Sequence, residues 1–106
     1  MSVSTHVLDA VTGRPATGLG VTLSARDGDG WRELTRRDTD TDGRIADLAG
    51  DTAAGVYRLT FDTDRYLDGV TFYPEVVVVF RVSDAAAHHH VPLLLSPFAY
   101  STYRGS

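Results

Sequence analysis

The sequence contains no cysteine, and because all 10 of its basic residues are arginine it contains no lysine. Asparagine and glutamine are missing as well. Without cysteine there is no thiol nucleophile, disulfide, iron–sulfur cluster or zinc finger. Without lysine no Schiff base can form and no P-loop lysine can hold a phosphate. The longest apolar run, Val76 to Phe80, falls far short of the ~20 residues of a membrane helix. Positive charge is scarce: 10 basic against 14 acidic residues leave a net charge of −4, with no basic stripe to attract nucleic acid. The opening residues, Met1 to His6, show no basic segment followed by an apolar one, and Tyr103 to Ser106 is no peroxisomal signal. A cytoplasmic protein with neither membrane nor nucleic acid as partner is the expectation. Chemistry is left to His, Asp, Glu, Arg, Ser, Thr, Tyr and the backbone.

What is present is a succession of short stretches rich in β-branched and aromatic residues, broken by Gly, Asp and Pro. In 106 residues this reads as one all-β sandwich domain spanning 1–106. Val3 to Ala10 is a first strand, ended by a turn at Thr12 to Pro15. Val21 to Arg26 alternates apolar and polar, Asp27 to Gly30 is a hairpin turn, and Trp31 to Arg37 returns. A second Asp-Gly turn, Asp42-Gly43, precedes a short strand from Arg44 to Leu48. Val56 to Phe61 alternates again, placing Tyr57, Leu59 and Phe61 on one face. Asp62 to Asp68 is the only helical turn, with Asp62 or Thr63 as its N-cap. Glu75 to Val82, His89 to Leu95 and Tyr100 to Tyr103 complete about eight strands.

Alternation singles out one face. From His88 to Leu95, the core takes Val91, Leu93 and Leu95, and His88, His90, Pro92 and Leu94 point outward. Such an outward row is unusual for a solvated surface and marks an interface or a pocket wall. Val76 to Phe80 is apolar on both faces, which in an uncovered strand invites aggregation and predicts a covering partner subunit.

Three simple sites can be weighed. Asp38 to Gly43 opens like a calcium loop, but the twelfth position is Ala49 instead of Glu and the flanks read as strands, so a polar hairpin turn is the better reading. His88, His90 and His6 offer nitrogen ligands for zinc, but no carboxylate stands ready to complete or orient the set, and no metal is expected. No Gly-x-Ser-x-Gly elbow occurs, which disfavours covalent serine catalysis. Histidines able to move a proton near neutral pH remain, with Arg and Tyr to hold a planar polar ring or an anion.

Ser4-Thr5-His6-Val7-Leu8-Asp9, followed by Gly13 to Ala16, resembles the opening of the transthyretin-related 5-hydroxyisourate hydrolases. Thr41-Asp42-Gly43-Arg44 resembles their central Arg motif, and Tyr73 to Val76 the start of their long sixth strand. His90 to Pro97 and Tyr100 to Ser106 resemble their C-terminal signature, of which Tyr103-Arg104-Gly105-Ser106 separates enzymes from hormone carriers. Family order is kept along the whole chain. The family commonly has Tyr where His89 stands and Gly where Ala99 stands.

The resemblance implies an eight-stranded transthyretin-like (prealbumin-like) β-sandwich with one short helix, assembled as a homotetrameric dimer of dimers with sites in the channel between dimers. It implies hydrolysis of 5-hydroxyisourate to 2-oxo-4-hydroxy-4-carboxy-5-ureidoimidazoline in urate degradation, without cofactor. His6, Arg44, His90 and Ser106 are then the catalytic set. His6, Arg44, Tyr103, Arg104 and Gly105 bind substrate. Either His6 or His90 serves as base, and the role of His88 stays open between support and solvation. Taken singly, His6 is an ordinary strand residue, Arg44 an exposed hairpin residue and the tail a frayed end. Two other functions compete: a non-catalytic carrier of an aromatic small molecule, and a general β-sandwich interaction module.

Overall fold

The alternating stretches form two sheets. The computed structural model describes residues 2–49 and 53–106. Strand β1 (Val3–Asp9) is followed by β2 (Arg14–Pro15), β3 (Gly20–Asp27), β4 (Gly30–Asp38), β5 (Arg44–Ile45) and β6 (Gly55–Phe61). Helix α1 (Thr63–Tyr66) then leads to β7 (Val76–Val82), β8 (His89–Ser96) and β9 (Ala99–Thr102). One sheet runs β2-β1-β8-β9 with β5 also paired to β1, and the other runs β4-β3-β6-β7. The neighbours pair antiparallel except β1 and β8, which run parallel.

Among the described residues there are nine strands, two of them only two residues long. Arg14–Pro15, expected within a turn, pairs with Leu8 and Asp9. The strand expected over Arg44 to Leu48 stops at Ile45. It leaves β1 after two register pairs, although Leu48 still donates its N–H to the Val3 carbonyl at 2.8 Å. Asp62 caps α1, accepting from the Arg65 N–H at 3.4 Å.

The core lies between the inner faces. Val3, Val7, Val91, Leu93 and Leu95 of one sheet meet Val21, Leu23, Tyr57, Leu59, Phe61 and Val76 of the other. Each large side chain sealed there contributes on the order of 1.5–3 kcal/mol. The odd residues of β8 therefore anchor the strand, and its even residues are turned to the opposite face. Tyr66 of α1 reaches across to β1, donating from its hydroxyl to Asp9 Oδ2 at 3.1 Å, and Asp9 Oδ1 accepts from the N–H groups of Val11 and Thr12. Strand β7 is a sheet edge, with Val77 39% and Val79 51% exposed.

Candidate active site

Register decides which side chains share the outer face of the first sheet. In the parallel pair, Ser4 stands opposite His90, His6 opposite Pro92 and Leu8 opposite Leu94. In the antiparallel pair on the other side of β1, His6 stands opposite Arg44. Leu94 stands opposite Ser101 of β9. Side chains that are neighbours in register on one face lie within reach of one another. Two histidines and an arginine separated widely in sequence are thereby gathered on one surface.

Arg44 is delivered by a tight turn. Asp40 Oδ1 accepts from the N–H groups of Asp42 and Arg44, each at 2.9 Å, so the acidic loop is organised by its own backbone. Gly43 has φ +71°, and its carbonyl accepts from the Val7 N–H at 2.8 Å. A Cβ at Gly43 would lie 2.5 Å from the Val7 carbonyl oxygen. Only glycine permits this approach without strain.

The tail is tied down. Gly105 forms an isolated bridge with His90, donating its N–H to the His90 carbonyl at 2.9 Å. It packs so closely that a Cβ would enter the His90 ring and come 3.2 Å from Pro92 Cγ. This cover explains a departure from the alternation: Pro92, expected outward, is buried beneath the tail. The frayed-tail alternative is thereby set aside.

A cavity of roughly 300 Å³ is lined by Ser4, Thr5, Arg44, Ile45, Ala46, His88, His90 and Ser106. It joins Arg44, His90 and Ser106 of the expected set. A second cavity of roughly 340 Å³ lies on the other side of His90, where Tyr103 and Arg104 line it with Val78, Phe80 and Thr102. Tyr103 and Arg104 thus stand apart from Arg44 within one chain, with His90 forming part of both walls. His6 lines neither cavity but flanks Arg44 in register.

Two residues that sequence reasoning left aside, Ser2 and Ser4, organise the histidines. The Ser4 hydroxyl lies 2.8 Å from His88 Nε2 and 2.7 Å from His90 Nδ1, and Ser2 Oγ bonds to His88 Nδ1. The Ser-x-Ser-x-His spacing from Ser2 to His6 was the available signal, since alternate residues of a strand share a face. His88 is exposed, yet both of its ring nitrogens are engaged. His89 is buried, its Nδ1 lying 3.1 Å from the Ala87 carbonyl, in keeping with a packing role. Among the described residues, no three His, Asp or Glu side chains converge in metal-binding geometry.

Burial holds the His90 pKa below the ordinary histidine value of 6.5, helped by the nearby Arg44, His88 and His6 and opposed by a hydrogen bond with the Ser4 backbone, whose carbonyl accepts from the ring. His90 is therefore kept as a neutral imidazole at physiological pH. Facing it are a forked cation and hydroxyl groups, a set suited to moving one proton while holding a planar polar molecule.

The chain is 47% identical to a 5-hydroxyisourate hydrolase of Salmonella dublin over 109 residues, covering 98% of this chain and 80% of the relative. The solved 5-hydroxyisourate hydrolase of Klebsiella pneumoniae superposes with a TM-score of 0.88 at 35% identity, covering the whole of both chains. Transthyretin from Sparus aurata superposes with a TM-score of 0.91 at 34% identity, over 98% of this chain and 96% of that one. With the HIUase/Transthyretin family model matching residues 3–105, this chain belongs to that family.

Proposed function

We propose that this chain is a 5-hydroxyisourate hydrolase, acting as one domain over residues 1–106. The observation that carries the reading is the cavity in which Arg44, His90 and Ser106 meet, with His6 beside Arg44 on the same sheet face. Fold alone cannot separate enzyme from carrier, because the hydrolase and the transthyretin superpose about equally well. The side chains favour the enzyme: a neutral histidine and an arginine lining one cavity suit proton transfer to and from a polar substrate.

Hydrolysis of the substrate adds water to a ring carbonyl and breaks the adjoining C–N bond, giving a carboxylate and a nitrogen that must acquire a proton. His90 or His6 takes the proton from the attacking water, and the same ring can return it to the departing nitrogen. Arg44 fixes the planar substrate through its forked N–H donors and stabilises the developing oxyanion. Ser106 and Gly105 close the cavity over His90, and Tyr103 and Arg104 bind substrate from the neighbouring wall. No organic cofactor or metal enters this scheme.

The proposal includes a homotetramer built as a dimer of dimers and a cytoplasmic setting. The exposed Val77 and Val79 on edge strand β7, and the exposed Tyr103 at 59%, support burial against further copies. Packing of copies against the outer sheet face would bring Tyr103 and Arg104 to bear on substrate. None of the described helices is long and apolar enough to cross a membrane.

The test is the decay of 5-hydroxyisourate generated in situ by urate oxidase and followed by ultraviolet absorbance, with a chelator present. Rapid decay with the native protein, lost in His90→Ala, supports the hydrolase. No acceleration by a protein that is tetrameric favours the carrier, and a monomer without activity favours the interaction module.

A further inference from the structure

The Ser4 hydroxyl sits between two imidazoles, within hydrogen-bond distance of each. A hydroxyl has a single proton and two lone pairs, so it can donate to at most one of these nitrogens, and at least one of them must donate to it. When Ser4 donates across the bridge, only one of His90 Nδ1 and His88 Nε2 carries the proton that faces it. Ser2 extends the chain to the exposed side of His88. We infer that Ser4 and His88 form a proton relay that sets the tautomer of His90, an inference that rests on the hydrolase reading above.

In one arrangement His90 Nδ1–H donates to Ser4, Ser4 donates to His88 Nε2, and His88 Nδ1–H donates to Ser2. His90 Nε2 then bears the lone pair that accepts a proton from water. Once it has done so, the Nδ1 proton passes to Ser4, the Ser4 proton passes to His88 Nε2, and the Nδ1 proton of His88 leaves toward Ser2 and solvent. Each ring ends neutral with a single N–H, now on its other nitrogen, the Ser4 hydroxyl is restored, and one proton has travelled from the cavity to the surface. His90 is left neutral and protonated at Nε2, ready to donate to the departing nitrogen as the relay runs backward. The charge never has to rest on His90, where Arg44 on β5, His6 on β1 and burial all oppose it. The other ionisable groups around it, Tyr103, Arg104 and Arg81, line the cavity on its far side. Exposed His88 is the ring on which a transient charge is solvated.

Ser4 is thus a positioning residue, acting on substrate only through His90. The test combines nitrogen NMR of the histidine rings with kinetics on in-situ 5-hydroxyisourate for the native protein, Ser4→Ala, Ser4→Thr and His88→Ala. The relay predicts complementary protonation of His88 Nε2 and His90 Nδ1 in the native protein, and a changed His90 tautomer population in Ser4→Ala. It predicts kcat lower by about 10- to 100-fold in Ser4→Ala and His88→Ala, a part of the usual general acid–base contribution, with KM changed less than about threefold. Ser4→Thr, which keeps the hydroxyl, restores both readouts. An unchanged His90 tautomer in Ser4→Ala, or an unchanged kcat in both alanine variants, overturns the relay. If the native protein itself fails to hasten decay, the hydrolase reading falls, and the ring spectra still decide whether Ser4 couples the two histidines.

Discussion

Gly105 lies flat against the His90 imidazole, joined to its residue by a backbone hydrogen bond of 2.9 Å and leaving no room for a side chain between tail and ring. Tail and histidine are therefore placed by one another. Gly105→Ala is expected to leave thermal stability nearly unchanged, since the tail covers the sheet from outside the core. It should lower kcat/KM by roughly 100-fold, the scale of a misplacement of about 1 Å at a reacting group. Thermal melts and decay assays on the same preparation check the split.

Gly43 answers to a different constraint. Its positive φ and its contact with the Val7 carbonyl make Gly43→Ala strained in backbone and crowded in space. A loss of about 1–3 kcal/mol is expected, together with lost activity because Arg44 is the next residue. Denaturant titration measures the first effect, and the decay assay measures the second.

The histidine environment fixes a pH dependence. Burial, then Arg44, His88 and His6, lower the His90 pKa, so the neutral ring persists below the ordinary midpoint of 6.5. NMR titration should find the His90 midpoint under that value, and Arg44→Gln should raise it by removing a cation. The stability linkage has the same sign. The unfolded chain binds this proton more tightly, so the His90 contribution is complete above about pH 6.5 and is lost as pH falls toward the folded midpoint.

Tyr66 provides the opposite case. Burial, the hydrogen bond to Asp9 and the charge of Asp9 all raise its pKa above 10.0. Its contribution is complete below that value and disappears as pH rises through the folded midpoint. Tyr66→Phe should cost on the order of 1 kcal/mol and leave kcat unaltered, because Asp9 and Tyr66 lie on the buried side of β1. Melts at neutral pH, paired with the decay assay, test both halves.

Period-two alternation made most of the fold legible: β3 keeps it only up to the register shift between Leu23 and Ser24, both buried, but β6 and β8 each bury one face more deeply than the other. Tyr57, Leu59 and Phe61 are buried together for this reason. The rule misled at Pro92, where a covering segment from elsewhere in the chain buries an outward position. It was silent on Arg14–Pro15, whose pairing is a consequence of β1 passing alongside. For the site, His6, Arg44 and His90 were named through resemblance, and strand register supplies the physical reason that they share a face. The serine bridge escaped notice because its hydrogen bonds join residues 84 to 86 apart. The Ser-x-Ser-x-His spacing puts both serines on the face of His6, but no local pattern names the partners they meet there.

The parallel pairing of β1 with β8 has a consequence for the order of assembly. The β3–β4 hairpin closes a loop of two residues and carries Trp31, the single tryptophan. The catalytic face needs strands from opposite ends of the chain, and closing so long a loop is entropically costly and slow. During refolding, indole fluorescence should therefore recover ahead of turnover. The protein carries two clocks, one reading the earliest local structure and the other reading the completion of the molecule.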